Sequence, residues 1–134
     1  MSFKYNRQDR LFIRNNPVTI NDIEVPICID TSYKENEFES KISDAVNRIE
    51  NNRESLKKAL IKNLYDIHIE SWRYDKEKDL SIEDFFSNLK MTKIILTKGD
   101  SCTIVFTTGE LFDGKLLEVM FEKDGSIFIT GLLE

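Results

Sequence analysis

Hydrophobic and polar residues alternate along the first thirty positions of the chain, with the period of two that is typical of β-strands. The alternation is most regular over 23–30, where every odd position is Ile or Val and shares one face. The Asn21-Asp22 pair before this segment is typical of a tight hairpin turn. Because Pro26 has no backbone N–H to donate, we expect this strand to lie at a sheet edge or to bulge at Pro26. These signals predict an N-terminal β-meander.

After residue 37 the apolar residues recur every three or four positions, which predicts amphipathic helices. The first stripe covers 38–49. On its polar side Glu37 and Asp44 each precede a basic residue by four positions, which is the favourable order for helical ion pairs. Two asparagines at 51–52 interrupt the stripe, and a second stripe predicts a longer helix over about 53–73.

A short third helix is predicted to begin after Ser81. Serine is a favoured N-cap, and the carboxylates of Glu83 and Asp84 suit the positive end of a helix. Leu80 and Phe85 stand at the two positions of a hydrophobic staple, which fixes the direction from which the chain enters the helix.

The last third of the chain alternates again, and it predicts four strands joined in chain order by turns. The predicted strands cover 92–98, 102–107, 115–122 and 126–132. We therefore expect one α+β domain over 1–134, with an N-terminal β-meander, two to three helices, a C-terminal four-stranded antiparallel meander, and the helices packed on one sheet face. The pattern leaves open whether the two groups of strands form one sheet.

The charge balance of the chain favours some classes of binding partner over others. The 134 residues include 24 Asp and Glu against 19 Lys and Arg, which gives a formal net charge of −5. An acidic chain lacks the basic surface that nucleic-acid binding needs, but it suits a cationic protein partner. We expect a monomer or a homodimer that binds no nucleic acid.

The sequence also indicates a compartment. No apolar run exceeds three residues and the N-terminus has no apolar leader, so we expect neither a membrane-spanning helix nor a secretory signal. Cys28 and Cys102 both fall in predicted strands, which favours two reduced thiols, although their separation in space is open. A cytoplasmic protein fits these features.

Residues that support catalysis are sparse. His68 is the single histidine, and no second ligand stands at metal-binding spacing from it. The spacing from Gly109 to Gly114-Lys115 is that of a phosphate-binding loop. However, Leu116 replaces the Ser or Thr that would hold Mg²⁺, and a strand follows instead of a helix. The sequence therefore predicts no cofactor, no metal, no catalytic residue and no enzyme.

Acidic residues cluster around the last hairpins without regular basic partners, which indicates either solubility or an acidic docking surface. Leu116 and Met120 share a strand face with Glu118, so both faces of this strand are partly apolar. The second apolar face is either core or a contact patch for a partner. The candidate partner-binding residues are Glu110, Phe112, Asp113, Leu116 and Glu118, followed by Glu37 and Asp44 of the first helix region.

Two motifs stand out from Leu80 onward: Leu-Ser-Ile-Glu-Asp-Phe at 80–85 and Gly-Glu-Leu-Phe-Asp-Gly-Lys at 109–115, with Gly125 and Gly131 after them. In these motifs the chain resembles a bacterial family, domain of unknown function 2262. The upstream order of strands and two helices is also similar. The family has a histidine where Lys115 stands, so no role of that histidine passes to this chain.

The resemblance implies a function. Related small acidic proteins are often proposed as immunity proteins encoded beside toxins, so it implies an inhibitor that occludes the active site of a toxin. In such an inhibitor, acidic residues steer the encounter and a small apolar centre is buried afterwards. Two hypotheses stay beside it: a small ligand-binding or hydrolytic domain with a carboxylate site, and a structural homodimer that uses the Leu116–Met120 face.

Overall fold

The computed structural model describes residues 3–67, 81–109, 111–112 and 114–133. The predicted continuation of the second helix to residue 73, His68, and Leu80 of the predicted staple lie outside the described residues. The strands within them are β1 (Phe3–Asn6), β2 (Leu11–Arg14), β3 (Val18–Ile20), β4 (Ile23–Val25), β5 (Ile27–Asp30), β6 (Lys90–Thr97), β7 (Ser101–Thr107), β8 (Leu116–Phe121) and β9 (Ile127–Leu133). The α-helices are α1 (Phe38–Asn51), α2 (Arg53–Ile67) and α3 (Ile82–Ser87).

Seven of these strands form one mixed sheet in the order β1-β2-β5-β6-β7-β8-β9. The pairs are antiparallel except for β5 and β6, which run parallel. A parallel pair needs a crossover connection, and α1, α2 and α3 lie between these two strands in the chain. The predicted α+β class is confirmed. The predicted C-terminal meander is matched only in part, because β6–β9 belong to the larger sheet.

Pro26 divides the segment that was predicted as one strand. β4 ends before it and pairs with β3 in a separate two-stranded hairpin, whereas β5 begins after it and lies between β2 and β6. The edge position predicted for this strand is therefore wrong for β5. The physical reason is that the chain leaves the hairpin at Pro26, whose carbonyl still accepts a hydrogen bond from the Ile94 N–H at 3.0 Å. The tight turn is confirmed, with positive φ at Asn21 (50°) and Asp22 (69°).

The described helices pack on one face of the large sheet, as predicted. The core cluster combines helix residues such as Phe38, Leu60 and Phe85 with strand residues of that face. The strand residues are Ile27, Ile29, Ile94, Leu96, Cys102, Ile104, Phe106, Leu117, Val119 and Phe121. Cys28 and Val105 are also buried, but they lie on the opposite face and do not belong to this cluster.

The local helix signals are largely confirmed. α1 ends at Asn51 and α2 begins at Arg53, on either side of the predicted interruption. The Ser81 hydroxyl accepts a hydrogen bond from the Asp84 N–H at 3.1 Å, as an N-cap does. The ion pair favoured between Glu37 and the lysine four positions later is not formed, because Lys41 instead contacts Asp100 at 3.3 Å.

Candidate protein-binding surface

The face of the large sheet opposite the described helices carries a continuous row of side chains. Strand pairing places seven residues side by side across the sheet, on the side opposite the helix-covered core. They are Lys4, Ile13, Cys28, Ile95, Thr103, Met120 and Phe128. We name this side of the sheet the open face; it also carries Val105, Leu116 and Glu118.

The open face is largely apolar because β8 has apolar residues on both sides. Leu117, Val119 and Phe121 are fully buried under the helices. Leu116 and Met120 alternate with them, point the other way and are half-buried. Leu116 and Met120 therefore lie on the side of the sheet opposite the helix-covered core.

Phe128 is the most exposed large side chain of the open face. It lies on the edge strand β9 opposite Met120, and 55 % of its surface is accessible. Large apolar side chains that lie together on a surface are typical of protein interaction sites, whereas isolated ones are ordinary. Because Met120 and Phe128 lie opposite each other in the pairing of β8 and β9, the two side chains form one apolar patch.

Glu118 places a carboxylate within this apolar surface. Its Oε1 accepts a hydrogen bond from the Thr130 hydroxyl at 3.1 Å, and the same hydroxyl lies 2.9 Å from the Glu118 carbonyl oxygen. The half-buried carboxylate is therefore held in one orientation by the neighbouring strand. Glu122 is similarly held by the Ser101 hydroxyl at the end of β8.

The two cysteines lie on opposite sides of the sheet and both are free thiols. Burial raises the pKa of Cys28 on the open face, with Lys93 opposing the rise and Asp9 adding to it. Burial also raises the pKa of Cys102, in the core, to about 11. A thiol with such a pKa is protonated at neutral pH and is a poor nucleophile.

The structure corrects one predicted contact residue. Phe112 is fully buried and meets Phe85 edge-on, with 6.4 Å between ring centroids. The turn that holds it folds inward, since the Leu111 N–H binds the Thr108 carbonyl and the Lys115 N–H binds the Phe112 carbonyl. Phe112 is therefore a core residue, and the prediction that it contacts a partner is wrong.

The other predicted contacts do not form one cluster. Leu116 and Glu118 share the open face, while Glu110 and Asp113 lie outside the described residues. Glu37 precedes α1 on the helix side, where its carboxylate accepts the Lys34 N–H at 3.3 Å. Asp44 is exposed on α1 and lines a polar cleft that also contains Arg48 and Lys123. The two α1-region acids are thus separated from the open face by the sheet.

A polar cluster that sequence reasoning missed fixes the turn between β6 and β7. The Asp100 carboxylate contacts Lys41 at 3.3 Å and Lys123 at 3.6 Å, and its backbone N–H donates to the Tyr33 hydroxyl at 2.9 Å. Burial alone raises the pKa of Asp100, but the bonds from Lys41 and Tyr33 and the charge of Lys123 outweigh it and lower that pKa. The only local signal was the glycine before Asp100, which predicts a turn but does not indicate which residues contact Asp100.

A cavity of about 200 Å³ lies on the helix side of the sheet. We name it the hairpin cavity, because the β3–β4 hairpin forms one wall. Its other walls come from the junction of α1 and α2, from the end of α3, and from β6 and β7. Among the described residues no cysteine lines this cavity, whereas Cys28 lies on the open face.

Among the described residues, no three His, Cys, Asp or Glu side chains lie close enough together to hold a metal ion. None of the helices in this part of the chain is both long and apolar enough to cross a membrane.

The fold and the open face define an α+β protein with its described helices on one side of a mixed seven-stranded sheet and an apolar surface on the other. The chain belongs to the family described as "Uncharacterized protein conserved in bacteria (DUF2262)", whose model matches residues 1–132. This match confirms the resemblance and extends it over nearly the whole chain. No curated protein and no solved structure matches the chain.

Proposed function

We propose that this protein is a non-enzymatic binding protein that docks a cationic protein on its open face, and that the partner is a toxin whose active site it occludes. The observation that carries the proposal is the row of apolar side chains across the sheet. Ile13, Ile95 and Met120 lie in register there, and Phe128 continues the row to the edge at 55 % exposure.

Burial of this row would supply the binding energy. Removing apolar surface from water contributes about 25 cal/mol per Å². Aromatic and other large side chains at the centre of an interface usually supply most of the affinity, with polar groups around them. Phe128 and Met120 are suited to the central role, and Glu118 to a polar contact beside them.

The net charge of the chain favours a cationic partner. The chain carries a formal net charge of −5, and opposite charge on a partner accelerates the encounter. Glu118 presents a carboxylate on the open face whose orientation is already fixed by Thr130. Glu110 and Asp113, just before β8, remain proposed contacts, and Glu37 and Asp44 remain secondary ones.

The toxin-directed part of the proposal rests on the family resemblance. Inhibition by occlusion requires a surface that matches the partner and needs no reactive group. The raised pKa of Cys102 supports a binding role over nucleophilic chemistry at that residue. A cytoplasmic location would place the inhibitor where a toxin acts on the host cell.

The proposal is tested by affinity capture from the lysate of the native host, with elution in high salt. We expect one cationic protein in near-stoichiometric amount. Expression of that protein alone in bacterial cells should arrest growth, and co-expression of this chain should restore it. Recovery of this chain alone, with a dimeric native mass, would contradict the proposal and favour the structural homodimer.

The electrostatic part has its own test on the captured partner. Glu118→Gln keeps an acceptor for Thr130 but removes the charge, so we expect slower association and a weaker dependence on salt. Glu24→Gln is the matched control, because Glu24 is exposed on the separate β3–β4 hairpin. Equal association rates for the two variants would contradict a steering role for Glu118.

A further inference from the structure

The hairpin cavity has a deep apolar wall. Val25, Leu56 and Leu89 line it and are at most 6 % exposed, and Phe106 closes it on the side of the sheet. The cavity arises where β3 and β4 pair only with each other, so that the hairpin stands beside the large sheet rather than within it. An apolar wall of this kind favours a hydrocarbon group over water.

The mouth of the cavity carries positive charge. Arg53 and Lys90 are exposed and line it, and no acidic side chain does so among the described lining residues. Neither cation makes an ion pair with another described residue. The acid that the structure places beside this cavity is Glu50, which does not line it and whose carboxylate accepts the Asn21 N–H at 3.2 Å.

The position of Arg53 adds to this positive field. It is the first residue of α2, a helix of 15 residues, and the N-terminal end of a helix is itself positive. A cation is disfavoured at that end of a helix, whereas an anion is favoured. The arrangement therefore suits a ligand that brings a negative group to the mouth and an apolar group to the wall.

We propose that the hairpin cavity binds a small amphipathic anion, specifically a short aliphatic carboxylate. Its tail lies against Val25, Leu56 and Leu89, and its carboxylate lies at Arg53 and Lys90. The volume of about 200 Å³ is below the roughly 300–1,000 Å³ of sites for drug-sized ligands, which restricts the tail to a few carbons. Each buried methylene should raise the affinity about fourfold until the cavity is full.

The proposal is independent of the partner on the open face, because the cavity lies on the other side of the sheet. It is tested by titrating the full chain with butanoate and hexanoate and following backbone amide signals by NMR. We expect saturable shifts at Val25, Leu56 and Leu89, with hexanoate binding more tightly than butanoate. Absence of saturation by hexanoate would overturn the proposal.

Two probes of the same length separate the charge from the tail. Hexylammonium and 1-hexanol present the same hydrocarbon without the negative charge, so we expect both to bind at least about tenfold more weakly than hexanoate. Equal binding of either probe would overturn the assignment of an anion. The shifts must also fall on the cavity residues, and shifts spread over the open face instead would contradict the site.

Variants at the mouth complete the test. Replacing both cations, as Arg53→Gln with Lys90→Gln, should weaken hexanoate about tenfold. The matched control replaces Lys58 and Lys62, two exposed cations of α2 that do not line the cavity, and it should leave the affinity unchanged. Because all four side chains lie at the surface, these variants are expected to fold. Equal affinity in the two double variants would overturn the role of Arg53 and Lys90.

Discussion

Phe112 and Phe128 have the same side chain but differ widely in solvent exposure. Phe112 is fully buried against Phe85, whereas Phe128 is 55 % exposed on the edge strand β9. The sequence places Phe112 in the connection before a predicted strand and Phe128 inside another predicted strand, and periodicity alone did not show which ring would be buried. The distinction comes from the turn before β8, which directs Phe112 inward.

This contrast gives a stability prediction. Phe112→Ala should lower the free energy of unfolding by about 3–5 kcal/mol, because it removes a ring from a close-packed core and leaves a cavity. Phe128→Ala should lower it by less than about 1 kcal/mol, because its ring is largely in water already. Urea unfolding followed by circular dichroism measures both. Similar losses for the two variants would contradict the burial of Phe112.

A second residue-scale prediction concerns pH and Asp100. After burial, which raises its pKa, the contacts with Lys41, Tyr33 and Lys123 lower that pKa below the value in the unfolded chain. The ionised carboxylate therefore contributes stability above about pH 4, and this contribution is lost as the pH falls through the lowered pKa. Asp100→Asn should reduce stability at pH 7, and its deficit relative to the natural protein should shrink towards pH 3.

The control for this prediction is Asp44→Asn, since Asp44 is exposed and forms no ion pair with another described residue. The loss of stability caused by Asp44→Asn should be small at both pH 7 and pH 3. Asparagine also tolerates the positive φ of Asp100, 62°, so the substitution does not strain the turn. A deficit of Asp100→Asn that stays constant from pH 7 to pH 3 would contradict the account.

At the scale of elements, the signals that act over a few residues predicted the structure well. Ser81 caps α3, the asparagines at 51–52 separate α1 from α2, and Asn21-Asp22 makes a tight turn. Each of these features depends on hydrogen bonds or dihedral angles within about four residues. The sequence therefore contained all the groups that determine them.

The cap of α3 is directly testable. Ser81→Ala should lower the free energy of unfolding by about 1 kcal/mol, because the Asp84 N–H loses its acceptor. Ser81→Asp should restore most of that loss, since aspartate also accepts at this position and suits the helix dipole. Ser55→Ala, at an exposed position inside α2, is the control and should have little effect. Equal stability of both Ser81 variants would contradict the cap.

Pro26 shows where element-scale reasoning fails. Its missing N–H correctly indicated an interruption, but the pattern did not show that the two halves join different sheets. The pairing of β5 with β6 joins residues on either side of the three described α-helices, as Ile27 with Ile94 does. Such pairing depends on tertiary contacts, which local periodicity does not predict.

At the scale of the whole molecule, local sequence patterns also did not predict which distant strands form the binding surface. The sequence indicated that β8 is apolar on both sides, which correctly marked Leu116 and Glu118 as neighbours on a second face. It did not reveal that Ile13, Ile95 and Phe128 extend this face across the sheet, because they come from three distant strands. The acids of the α1 region were grouped with it on charge alone, and the fold places them on the helix side.

One small protein is thus proposed to carry two separate binding surfaces. The open face is proposed to take a protein, and the hairpin cavity is proposed to take a small carboxylate. The seven-stranded sheet lies between them, with the helix-covered core on the cavity side. Substitutions on the open face should therefore leave carboxylate binding unchanged, and substitutions at the mouth of the cavity should leave partner capture unchanged.

The most direct test of the central claim compares capture by three tagged proteins from the native host lysate: the natural chain, Phe128→Glu and Ile82→Glu. Phe128 and Ile82 are similarly exposed, at 55 % and 45 %, but Ile82 lies on α3, away from the open face. We predict that the natural chain and Ile82→Glu recover equal amounts of one cationic protein, while Phe128→Glu recovers at least about tenfold less. Equal recovery by Phe128→Glu would contradict docking on the open face.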